Sequence, residues 1–107
     1  MAPYRTLYDF CLHLRRAEVI PRPEGEEWGT LIQRICQPGR AAEIDEETYD
    51  WFLECLPPKY QGRGFAFAEG AEPLKYFWYI DGRCFVRQLT EGETVTFCRL
   101  AGIPLPH

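Results

Sequence analysis

The pair Asp81-Gly82 constrains the fold most, because it stands between two runs, 74–80 and 83–89, that are dense in aromatic and β-branched residues. Asp-Gly favours a type I′ turn, which needs positive φ at both central residues and joins two antiparallel strands through a two-residue loop. Closing the hairpin there sets its register. Trp78 lies opposite Phe85 and Tyr76 opposite Arg87 on one face, while Phe77 opposes Val86 and Tyr79 opposes Cys84 on the other. Both faces carry rings, so both need cover from water.

The extended pattern begins at Gly64, and turn signals at Glu69-Gly70 and Glu91-Gly92 divide it further. It predicts an antiparallel meander with strands at 64–68, 74–80, 83–89 and 94–100. Before Gly64 the apolar spacing is helical. Leu7, Phe10, Cys11 and Leu14 share one face over residues 6–17, with Thr6 and Asp9 at capping distance. Trp28, Leu31, Ile32, Ile35 and Cys36 repeat the pattern up to Pro38-Gly39. A third helix starts where Asp45 can cap free amides and Ile44 and Tyr49 form a hydrophobic staple; Pro57-Pro58 ends it. The expected class is α+β, with about three helices in the first half followed by a four-stranded antiparallel meander. At 107 residues, without repeats or a dividing linker, the chain is expected to form a single domain spanning 1–107.

Extending the register through Glu91-Gly92 sets Val95 and Phe97 beside Phe77, Tyr79 and Val86. That face is the more apolar and is expected to lie under the helices. The opposite face, with Tyr76, Trp78, Phe85 and Arg87, then presents more aromatic surface than a monomer usually exposes. A second copy of the chain, a protein partner or a stacked ligand would cover it, as would the tail 103–106 or a helix.

A net charge of −4 runs against a chain built to neutralise phosphates, so nucleic acid is a disfavoured partner even though rings interleaved with Arg suit single-strand stacking. No apolar run approaches the roughly 20 residues that span a bilayer, and Met1-Ala2-Pro3-Tyr4-Arg5 lacks the apolar stretch of a signal peptide. No membrane association and a cytoplasmic location are expected. The five cysteines form no C-x-x-C pair and have no His at metal-ligand spacing, so they are expected to be reduced and buried, with no metal and no cofactor. The chain contains no Ser, and His13 and His107 are its two imidazoles. Nucleophilic catalysis has little to work with, and a non-enzyme is expected. Capping, dipole compensation and a solvated helix face account for the carboxylates from Glu43 to Glu54. A second candidate site is the connection 59–64, where Lys59, Tyr60 and Arg63 flank glycines whose backbone can approach an anion.

The stretch 43–58 closing on Leu56-Pro57-Pro58, then Gly64-Phe65-Ala66-Phe67-Ala68-Glu69-Gly70, then the aromatic run before Asp81-Gly82-Arg83, resembles a family of small uncharacterised bacterial proteins. Members of that family are often encoded on plasmids of proteobacteria. The match covers under half of the chain and brings no catalytic or ligand-binding residues with it. The resemblance implies an accessory role, such as binding a host or defence protein. The expected function is a protein-interaction module acting through Tyr76, Trp78, Phe85 and Arg87, with a small-molecule or anion binder at 59–64 as the alternative.

Overall fold

The computed structural model describes residues 4–55, 65–66 and 73–102. Its elements run α1 (Leu7–Leu14), β1 (Val19–Ile20), α2 (Trp28–Ile35), β2 (Ala41–Ile44), α3 (Glu46–Cys55), β3 (Phe65–Ala66), β4 (Lys75–Ile80), β5 (Arg83–Gln88) and α4 (Glu91–Ala101). The α+β class is as expected. The sheet, however, is mixed rather than an antiparallel meander, and the described residues form four helices rather than three.

The strand order is β1-β2-β5-β4-β3, with β1 and β2 parallel across the α2 crossover and every other neighbour antiparallel. The hairpin register is the expected one: Trp78 pairs with Phe85, Tyr76 with Arg87, Phe77 with Val86 and Tyr79 with Cys84. Its turn has φ of 52° at Asp81 and 75° at Gly82, the left-handed conformation that Asp tolerates and Gly adopts freely.

Residues 94–100, expected as a strand, belong to α4. Thr90 accepts from the Glu93 amide while the Glu93 carboxylate accepts from the Thr90 amide, a closed capping box, and Gly102 ends the helix at φ 71°. Those end signals outweigh the β-branched Thr94, Val95 and Thr96. Phe97 and Cys98 are the residues the helix buries.

With the fourth helix present, the sheet is covered on both sides. Helices α1 and α4 contribute Phe10, Leu14, Phe97 and Cys98 to a core with Tyr76, Trp78 and Phe85. Helices α2 and α3 contribute Leu31, Ile35 and Phe52 to a second core with Phe77, Cys84 and Val86. The expectation that helices cover Phe77 and Val86 therefore holds. Val95 instead points outward from α4, Tyr79 is exposed at the hairpin end, and Phe97 belongs to the opposite core.

Candidate functional site

The sheet face expected to be open is closed. Tyr76, Trp78, Phe85 and Arg87 are between 2% and 7% exposed. Tyr76 and Trp78 stack with ring centroids 5.2 Å apart, as do Trp78 and Phe85, and Phe65 lies 4.7 Å from Tyr76 and 4.2 Å from Phe97. Helix α4, absent from the expected fold, completes the cover that α1 begins. The second candidate set, Lys59, Tyr60 and Arg63, lies outside the described residues.

Buried polar groups on the closed face serve the fold. Arg87 donates to the Leu14 carbonyl at 3.1 Å and to Glu93 at 2.7 Å, tying the end of α1 to the start of α4. The Tyr76 hydroxyl accepts from Arg15 Nε at 2.9 Å. Burial dominates its titration and pushes the Tyr76 pKa up to about 12, although the Arg15 hydrogen bond opposes the rise. His13 approaches Glu93 at 3.6 Å, packs against Tyr4 and Phe10 and is half-exposed.

The largest exposed aromatic pair lies on the opposite helical layer. Trp28 opens α2 and is 52% exposed; Trp51, in the middle of α3, is 38% exposed. Their rings meet edge to face at 82° with centroids 5.0 Å apart, and Trp51 makes a second such contact with Phe52 at 5.1 Å. Helix geometry explains their position. Tyr49 and Phe52 turn α3 toward Phe77, and a neighbour one residue from Phe52 is rotated by about 100°, off the core stripe. Trp28 continues the Leu31–Ile35 stripe, but at the first turn of α2 it overhangs the core and stays partly in solvent.

Beside Trp28 opens a cleft of about 540 Å³, walled by Arg22, Glu24, Asp45 and Thr48 and floored by Leu31 and Ile44. Glu26 also lines it and is locked in place, since its carboxylate takes two hydrogen bonds from the buried Arg34, at 2.7 and 2.8 Å. Asp45 caps α3 by accepting from the Thr48 amide at 2.7 Å, and Arg22 pairs with it at 3.1 Å. Hydrogen bonds from Thr48, with the Arg22 charge adding to them, hold the Asp45 carboxyl below its usual range. It is an anion at neutral pH.

The layer around the Trp pair is strongly acidic. Residues 22–35 and 45–55 hold eight carboxylates against two guanidiniums, a net −6 within a chain of net −4. Glu24, Glu27, Glu47, Asp50 and Glu54 have no ion-pair partner among the described residues. The field is felt inside the fold. Burial pushes the Cys84 thiol up, and Glu46, Asp50, Asp45 and Glu43 push it further in the same direction. Cys84 and Cys98 are buried as expected and Cys11 is partly so, but Cys36 is exposed, contrary to expectation; these four are free thiols, and the Cys55 side chain lies outside the described ones. Among the described residues no group of His, Cys, Asp and Glu is arranged to hold a metal ion, and no helix is long and apolar enough to cross a membrane.

Spacing puts Trp28 on the core stripe of α2, and capping, dipole compensation and a solvated face account for the carboxylates of α3, so neither marks this layer by itself. The available signal was a Trp directly beside a core Phe on one short helix, where both cannot face inward, within an acid-rich run. No protein-family model, no curated protein and no solved structure matches the chain, so the reading of this layer rests on its own geometry.

Proposed function

We propose that the chain is a non-enzymatic interaction module whose contact surface is the α2–α3 layer, and that it binds a basic segment of a protein partner. The exposed Trp28–Trp51 pair, set among carboxylates that have no ion-pair partner among the described residues, carries this reading. Trp is the side chain most enriched where interfaces draw their affinity, and the carboxylates steer a cationic partner toward it. Two copies of this layer facing each other would juxtapose like charges, which weighs against self-association here. The same charges weigh against an anion in the adjoining cleft.

Titration of a capped Lys- and Arg-rich peptide by calorimetry tests the reading. Binding is expected to weaken as salt rises from 50 to 300 mM and to fall when Asp50 and Glu54 are both changed to Lys. Amide exchange should slow in 22–35 and 45–55 on binding. Protection confined to α1 and α4 would overturn the assignment of this surface.

A further inference from the structure

We infer that the cleft beside Trp28 seats the guanidinium of an arginine from that basic segment, an inference that rests on the interaction reading above. The cleft has the parts such a group needs. Trp28 lines the cleft and is 52% exposed, which leaves part of its indole open to an incoming group. The apolar floor of Leu31 and Ile44 suits the methylene stem of a long side chain. Glu24 on the wall has no ion-pair partner among the described residues, which leaves its carboxylate for an incoming cation. The volume of about 540 Å³ lies within the range of small-ligand clefts, roughly 300–1,000 Å³.

Two features favour arginine over lysine. A guanidinium is planar and weakly hydrated, stacks on rings and matches a carboxylate with two parallel hydrogen bonds, whereas an ammonium is a compact, strongly hydrated charge. The chain already uses that combination on its own surface. The Arg83 guanidinium lies 5.0 Å from the Phe85 ring centroid while donating to both Glu43 oxygens, at 3.1 and 2.9 Å. On the same wall Arg22 pairs with Asp45 at 3.1 Å, so these two charges offset each other and Glu24 is the carboxylate left for an incoming cation. Trp28 and Glu24 bring a ring and a carboxylate to the same cleft.

The test uses three peptides on one Lys-rich scaffold, differing at a single position that holds arginine, lysine or citrulline, the neutral isostere of arginine. Calorimetry on the wild-type chain is expected to show the arginine peptide binding about 10-fold tighter than the citrulline one, with lysine between them. Trp28→Leu, at a half-exposed site, is expected to reduce that ratio to about 2 or less. Glu24→Gln, fully on the surface, should reduce it as well, and circular dichroism confirms that both variants fold. Equal affinities for arginine and citrulline in the wild-type chain overturn the inference. So does a ratio that survives in both variants, although binding of the scaffold then leaves the interaction reading standing. If no peptide binds at 50 mM salt, both fall together.

Discussion

At the scale of single residues, one buried guanidinium, that of Arg34, fixes the geometry beside the cleft. Arg34 is 5% exposed, yet its donors reach both oxygens of Glu26 and the Ile20 carbonyl at 3.1 Å. It thereby holds the end of β1 and the 24–27 turn against α2. A buried pair of this kind adds little when compared with apolar residues of the same shape, but removing one partner strands a charge in a poor solvent. Arg34→Ala and Glu26→Ala are each expected to destabilise the chain by about 3–5 kcal/mol in urea unfolding, and the double variant to lose clearly less than their sum. Additive losses would show that the two side chains act independently. By spacing alone Glu26 is one of three acids ahead of α2, suited to the positive end of its dipole, because spacing reports on helices and says nothing of a turn folding back onto one. That pairing becomes legible once the path of residues 20–27 is known.

At the scale of elements, the decisive competition was in α4. Thr94, Val95 and Thr96 each lower helix propensity by no more than about 0.7 kcal/mol relative to Ala. The Thr90 cap contributes about 1 kcal/mol, and burying Phe97 about 1.5–3 kcal/mol, so the ends and one buried ring outweigh the local bias. The capping box was in plain view as Thr90-x-x-Glu93, but Glu91-Gly92 between them read as a turn. Thr90→Ala should therefore destabilise the fold by about 1 kcal/mol and loosen α4, seen as faster amide exchange over 91–101. The cap of α3, by contrast, was read correctly from Asp45. Its carboxyl is held below the ordinary range, so its contribution is present above the unfolded pKa and is lost as pH falls through the folded one. Asp45→Ala is expected to lose about 1 kcal/mol at pH 7, with the deficit shrinking as the pH is lowered below about 4. A deficit independent of pH would mean that the ionised cap is not what holds the helix start.

At the scale of the whole molecule, the helix misread as a strand also accounts for the sheet face misread as open. The hairpin register showed rings on both faces of β4 and β5, which is the signature of a sheet buried on both sides. Helix α1 alone does not close that face; α4, formed by residues whose β-branched run predicts a strand, completes the cover. The edge strands β1 and β3, two residues each, are too short to leave a period-2 pattern, so the parallel β1–β2 pair was beyond reach. Closure of that face has a measurable consequence through Tyr76, which sits in the middle of the covered core and whose pKa is raised from 10 to about 12 by burial. Between those values the unfolded chain releases a proton that the folded chain retains. Stability from this group is thus complete below pH 10 and is lost as pH climbs toward 12, with a slope of up to about 1.4 kcal/mol per pH unit. Other tyrosines and the thiols also titrate there, so the informative quantity is the difference between wild type and Tyr76→Phe. Tyr76→Phe should be the less stable protein at pH 8, having lost the Arg15 hydrogen bond, and should close that gap between pH 10 and 12. A gap that stays constant across this range would place the Tyr76 hydroxyl in contact with solvent and reopen the sheet face that α1 and α4 cover.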